Sequence, residues 1–184
     1  MNHLEILFDA DDTAENLTGH WIEVLNQRYG TKVAIEDIND WDITQAFPTL
    51  KKEEVYGVLH EEFFWQRIEP MPDSQRILKQ LHDEGHELYM VTATDYRTCK
   101  TKFDRILSLF PFLDIEHIII AHDKQMIRGD VLIDDGPHNL VGGGYFRILF
   151  DRPHNRGLNE RKHGMYRAKS WEDVYRLIHE NLIL

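Results

Sequence analysis

Apolar residues along this chain keep two different rhythms. Short runs that are apolar on both faces predict strands over 4–8, 87–91 (running into Thr92), 115–121, 131–133 and 145–150, the last of the set. A strand with no polar face belongs in a parallel sheet covered on both sides. Between these runs the spacing changes to that of helices. Leu17, Trp21, Val24 and Leu25 predict a helix over 15–29 that stops at Gly30. Ile77, Leu78 and Leu81 predict one over 72–83. Cys99, Phe103, Ile106, Leu107 and Phe110 predict one over 96–110, which puts Cys99 in the core. Ser170-Trp171-Glu172-Asp173 has the form of a capping box and opens a final helix with Trp171, Val174, Ile178 and Leu182 inward.

Residues 33–67 follow neither rhythm. They hold no strong strand, several acids and many aromatics, among them Trp41, Phe47, Tyr56, Phe63, Phe64 and Trp65. Short helices fit, one of them over 51–65. Glu69-Pro70-Met71-Pro72 then forms a stiff joint, because each proline restricts itself and the residue before it. Alternating strands and helices on either side of this stretch predict an α/β fold: a doubly wound parallel sheet with a small inserted helical unit. The expected division is a core of 1–14 and 70–184 and an insert of 15–69. No internal repeat or low-complexity segment interrupts it.

The totals narrow the partners. With 184 residues, 42% hydrophobic and 29% charged, one well-filled core and a small appended unit are expected. A formal net charge of −11 argues against a nucleic-acid polymer or an anionic membrane surface, while a small anion can still bind in a local cationic site. The single cysteine, Cys99, allows no internal disulfide and suits a reducing compartment. Met1-Asn2-His3-Leu4-Glu5 lacks the basic segment and apolar core of a signal peptide, and no apolar run approaches the ~20 residues needed to span a bilayer. A cytoplasmic location is the expectation.

Chemistry gathers where the strands end. The first apolar run stops on Asp9-Ala10-Asp11-Asp12-Thr13, three acids within four residues. At about 4 Å and an effective dielectric near 20, each like-charge pair costs on the order of 4 kcal/mol before screening. A hard divalent cation would offset that cost; the plainer alternative is an acidic turn in which Asp12 or Thr13 caps the next helix. The other predicted strand ends carry Thr92 and then Asp134 and Asp135, with Lys124 on the loop after the strand that ends near Ala121. In open α/β sheets ligands bind beyond the carboxyl ends of the strands, so this punctuation converges on one edge. Two carboxylates two residues apart can divide nucleophilic attack from proton transfer. A paired acid can hold Mg²⁺, a threonine can hydrogen-bond a transferring oxyanion, and a lysine can neutralise it. The set lacks a serine–histidine pair and a glycine-rich phosphate loop. With Mg²⁺ it suits phosphoryl transfer.

In that order, Asp9-Ala10-Asp11-Asp12-Thr13, Thr92, Lys124 and Asp134-Asp135 resemble the four motifs of the haloacid dehalogenase (HAD) superfamily of phosphohydrolases. Phe63-Phe64 before Glu69-Pro70-Met71-Pro72, the run from Asp123-Lys124 to Gly129-Asp130-Val131-Leu132-Ile133-Asp134-Asp135, and Ile148-Leu149-Phe150 before His154-Asn155-Arg156 narrow the resemblance to the 5′(3′)-deoxyribonucleotidases. The resemblance implies a HAD-like, Rossmann-type fold in which the insert is a cap over the substrate. It implies that Asp9 forms an aspartyl-phosphate, that Asp11 protonates the leaving oxygen and then activates water, and that Thr92 and Lys124 bind and neutralise the phosphoryl group. Asp9, the Asp11 carbonyl and Asp135 would ligate Mg²⁺, with Asp134 beside them. Three positions depart from the pattern: Asp12 replaces a common glycine, Ala93 a frequent serine, and Leu17 an aromatic near the base. The expected substrate is a nucleoside monophosphate, with Trp41 and Ala93 as further contacts. The rivals are a HAD phosphatase for another small phosphomonoester and a non-hydrolytic phospho-accepting module akin to response-regulator receivers. A homodimer stays open.

Other conspicuous residues read more plainly. Most of the aromatics belong in cores. His117 and His122, five apart, face opposite ways and make poor joint ligands. His154 and Arg156 fit either a phosphate contact or a solvated loop. Asp130 reads as a turn residue, and Gly142-Gly143-Gly144, without strand-before and helix-after context, as a helix end and turn.

Overall fold

The computed structural model describes residues 3–183. Strands β1 (Glu5–Phe8), β2 (Glu87–Thr92), β3 (Ile118–Ile120), β4 (Val131–Asp134), β5 (Phe146–Phe150) and β6 (Tyr166–Ala168) form one sheet in the order β3-β2-β1-β4-β5-β6. Every neighbouring pair is parallel. This is the doubly wound α/β arrangement, and the order reverses between β1 and β4. Receiver-type modules are wound 2-1-3-4-5 instead, so that rival is set aside on topology.

The buried central strands explain themselves by alternation. Ile6 and Phe8 pack on one side of the sheet with Leu78, Leu81, Ile106 and Trp171. Leu7 packs on the other with Leu132, Leu140, Tyr145 and Leu149. Helices α4 (Ser74–Asp83), α5 (Cys99–Leu109), α6 (Pro137–Leu140) and α7 (Trp171–Leu182) supply these layers. Residues of the insert, from Trp21 to Ile68, gather a third cluster of their own. That cluster is built on α1 (Leu17–Tyr29), α2 (Lys52–Gly57) and α3 (Glu62–Trp65), with short 3₁₀ turns between. No helix among the described residues is long and apolar enough to cross a membrane.

Several element boundaries differ from the expectation. The helix over 51–65 is broken into α2, a 3₁₀ turn and α3, because Glu61 takes extended backbone (φ −95°, ψ 123°), held by both guanidinium arms of Arg28 at 2.6 and 2.8 Å. The strand over 115–121 shortens to β3, because the Asp114 side chain accepts from the Glu116 amide and winds Ile115–His117 into a turn. Strand β6 has no counterpart in the apolar pattern: only Ala168 of its three residues is buried, so it shows no readable period. The helix over 96–110 begins three residues late, after Asp95 accepts from the Arg97 amide. Its buried face is Lys102, Ile106 and Leu109. Cys99 is therefore half-buried and not a core residue, its Sγ donating to the Tyr96 carbonyl at 3.3 Å.

Candidate active site

The backbone leaves β1 through a tight loop in which the amides of Ala14 and Glu15 both donate to the Ala10 carbonyl. Asp12 takes φ +55° there, a left-handed conformation that aspartate tolerates better than most residues. Its carboxylate accepts from the Thr18 amide (3.0 Å), from the Thr18 hydroxyl, and from Arg152 (3.0 Å). It serves the first turn of α1 and an ion pair, so the acid that departs from the common glycine carries its own counter-ion. Two short backbone links, Asn16 to Glu69 and Met71 to Ala14, lay the entry to the insert against its exit.

Asp9 follows β1 at the switch point and is buried. Its Oδ1 accepts from the Ala10 amide at 2.8 Å and lies 2.6 Å from Lys124 Nζ. Among the described residues no donor reaches Oδ2. The Lys124 ammonium also donates to Asp134 Oδ2 at 2.7 Å. Asp134 Oδ1 takes the Gly136 amide and Asn139 Nδ2, so this carboxylate is fully occupied holding Lys124 and the turn after β4. Asp135 has no such saturation: among the described residues its carboxylate meets one polar side chain, His154 Nε2, at 3.2 Å. Its backbone carbonyl is held by Asn155 Nδ2, which also ties Phe150.

Burial pushes the Asp9 carboxyl well above the ordinary aspartate range; Lys124 pulls it down, and Asp134, Asp11 and Asp135 push it up again. Burial likewise raises Asp135, with Asp134 and Asp12 adding to it. Burial alone would lower Lys124, but Asp9 and Asp134 together outweigh that and hold the ammonium above its usual range. Burial lowers His154.

Lys102 and Glu15 belong to the site but lie outside the sequence motifs. Lys102, 1% exposed, donates to Asp11 Oδ1 (2.8 Å), Asp11 Oδ2 (2.7 Å) and Thr92 Oγ1 (3.1 Å). Its signal was available: it lies four residues before Ile106, on the buried face of α5. Glu15 is expected as helix but instead bridges Asp11 and Pro70 in the loop, where burial raises it well above the ordinary glutamate range. Among the described residues, Asp9, Asp11, Asp12, Glu15, Asp134 and Asp135 thus face three permanent cations, Lys102, Lys124 and Arg152, with His154 beside Asp135. The donors with spare capacity are carboxylate oxygens of Asp9 and Asp135, with the unpaired Nε2 of His154 beside Asp135. Asp9, Asp134 and Asp135 bring one oxygen each within 4.8 Å of one another. That deficit of positive charge and that donor set fit a hard divalent cation.

A cavity of about 300 Å³ opens over this cluster, the size of a small-ligand site. Asp9, Asp11, Asp12, Lys124 and Asp135 line its polar end, with Ala93, His122, His138 and His154 at the rim. Leu17, Trp21, Ile43, Tyr56 and Leu59 of the insert make an apolar wall. Trp41 is 58% exposed and stands edge-on to His138 and His154, at 4.8 and 5.2 Å between ring centres. Thr92 is fully buried and does not itself line the cavity. Phe63 is outside it, exposed under the Arg67 guanidinium, and Phe64 and Trp65 are buried in the insert. Arg156 pairs with Asp151 away from the cavity. Asp130 accepts from the Glu5 amide at the opposite end of β1 and is structural.

Residues 2–183 match a family model described as 5′ nucleotidase, deoxy (pyrimidine), cytosolic type C protein. A 5′(3′)-deoxyribonucleotidase of Clostridium acetobutylicum is 32% identical over 174 residues, covering 95% of this chain and 94% of that protein. Among solved structures, a HAD family hydrolase from Deinococcus radiodurans with bound phosphate and sodium superposes with a TM-score of 0.68 at 14% identity, over 98% of this chain and 96% of that one. A HAD-hydrolase type protein from Bacillus subtilis, YfnB, bound to magnesium, gives 0.61 at 15% identity, over 97% and 99%. These structural likenesses show a shared fold.

Proposed function

This chain belongs to the 5′ nucleotidase, deoxy (pyrimidine), cytosolic type C family of phosphoric monoester hydrolases, and from that premise we propose that it hydrolyses nucleoside monophosphates, deoxyribonucleotides foremost, through an aspartyl-phosphate with Mg²⁺ bound. The observation that carries the mechanism is the asymmetry of Asp9. One oxygen is pinned by Lys124 and the Ala10 amide, and the other is free in a residue that lines the cavity. A carboxylate held this way is oriented for attack.

Asp9 Oδ2 forms a bond to phosphorus as the ester P–O bond breaks. Asp11 gives its proton to the departing oxygen. Asp11 then takes a proton from the water that attacks phosphorus, and the bond to Asp9 breaks to release phosphate. Lys124 offsets charge on Asp9 and the phosphoryl oxygens, and the Thr92 hydroxyl would reach one of those oxygens only by turning from the Ala93 carbonyl to which it donates at 3.2 Å. Magnesium, held by Asp9, Asp135 and the Asp11 carbonyl, would supply the remaining positive charge against a dianionic ester. Asp134 serves by holding Lys124. We propose residues 15–69 as the cap and 1–14 with 70–184 as the catalytic core. The apolar and aromatic wall opposite the carboxylates, Trp41 included, supports a ligand with a flat, weakly polar end.

The test is phosphate release from a panel of 2′-, 3′- and 5′-monophosphates of ribo- and deoxyribonucleosides, set beside sugar phosphates, with Mg²⁺ present. A deoxyribonucleotide preference is expected. A clear preference for non-nucleotide esters would overturn the substrate, and undiminished turnover in chelator would overturn the metal.

A further inference from the structure

We propose that Lys102 is a positioning residue that fixes the carboxyl group of Asp11 for proton transfer. The proposal deepens the hydrolase reading and rests on it. A lysine on the buried face of a helix is costly, since enclosing the ion strips it of water. An apolar side chain would serve to dock α5 on the sheet, as Ile106 and Leu109 do. What Lys102 does instead is chemical. Asp11 is the least buried of the site carboxyls, its side chain 24% exposed, so alone it would sample several rotamers. Both of its oxygens are taken by one ammonium, at 2.8 and 2.7 Å, which leaves a single orientation.

The lysine is itself held. Its third donor meets Thr92 Oγ1 at 3.1 Å, so the Thr92 hydroxyl proton points away from Lys102 and is donated to the Ala93 carbonyl at 3.2 Å, which anchors the acceptor in turn. The Trp65 ring covers the ammonium at 4.7 Å, and that ring is fixed by its Nε1 donating to the Leu59 carbonyl at 2.9 Å. Core and insert both grip the group that orients Asp11. Asp11 can deliver a proton to the leaving oxygen only when it can reach it, so loss of Lys102 should hurt most where that proton matters most.

The experiment uses a series of phosphomonoesters running from p-nitrophenyl phosphate to simple alkyl phosphates, with nucleoside monophosphates as a separate arm. Proton donation to the leaving group contributes roughly 10²–10⁴-fold when the leaving group is poor. For Lys102→Met, kcat/KM should fall at least tenfold further for alkyl esters than for p-nitrophenyl phosphate, which steepens its dependence on leaving-group pKa. Asp11→Asn should steepen it similarly, and the double variant should be no steeper than Asp11→Asn alone. Lys102→Arg keeps the charge and should give an intermediate slope; it carries the test if Lys102→Met does not fold. Uniform loss across the series, or additive steepening in the double variant, would refute the positioning role. If nucleotides are ignored while the other esters are cleaved with this pattern, the substrate assignment fails and the role of Lys102 stands; no cleavage of any ester overturns both.

Discussion

Replacing Asp12 with glycine pits backbone strain against a polar network. Glycine removes the cost of φ +55°, about 1 kcal/mol of relief. Against this stands the acceptor for the Thr18 amide in the first turn of α1, worth about 1 kcal/mol. The hydrogen bond to Arg152 contributes about 1.5–3 kcal/mol, as charged bonds do, and its loss strands a guanidinium that is only 13% exposed. The balance is a destabilisation of about 1.5–3 kcal/mol, or a fall in Tm of roughly 3–12 °C for a chain of this size. Asp12→Asn keeps both the left-handed tolerance and the amide acceptor, so it should fall between. Urea unfolding should show a lower midpoint with unchanged slope. A glycine variant as stable as the parent, or more so, would mean that strain dominates and that the Arg152 pair contributes nothing.

Other expectations test the site directly. Asp9→Asn should lower turnover by several orders of magnitude without loss of fold, because no covalent route remains; residual activity within tenfold of the parent would exclude Asp9 as nucleophile. Mg²⁺ at a hundred times its Kd should stabilise the protein by about 2.7 kcal/mol, a Tm rise of roughly 5–11 °C, and Asp135→Asn should lose most of that shift in differential scanning fluorimetry. Asp9, Glu15 and Asp135 all titrate above their unfolded values, so the folded state retains protons that the unfolded state releases. Stability without metal should therefore fall as pH rises from about 4 toward those raised values, and the gain from Mg²⁺ should grow over the same range. Chelated protein that becomes more stable with rising pH would contradict the burial argument.

What the sequence revealed divides along physical lines. The central strands and the acids at their ends were legible because continuous apolar runs that stop on polar residues are a local signal, and Asp9, Asp11, Lys124 and Asp135 do line one cavity, with Asp134 buried against Lys124. The division of labour within the last pair was not, since only the bonds from Lys124, Gly136 and Asn139 distinguish Asp134 from its neighbour. Lys102 was hidden because charge on a helix is ordinarily read as its solvated face. Arg152 as the partner of Asp12 spans a separation of 140 residues, which no local pattern encodes. Short β6 and the broken segment 52–65 depend on side-chain bonds and edge pairing, to which hydrophobic period is blind.

The insert keeps its buried residues in a cluster separate from both layers of the sheet. That separation makes the protein modular under mutation. Drift among Leu17, Ile43, Tyr56 and Leu59 can recast the wall of the cavity while the carboxylates beneath keep their partners. It should also make the two clusters separate units in amide exchange. Under mild urea the amides around Leu25 and Val55 should open as one set, at lower free energy than those of β1 and β4, because releasing the insert exposes its own small core and leaves the sheet intact.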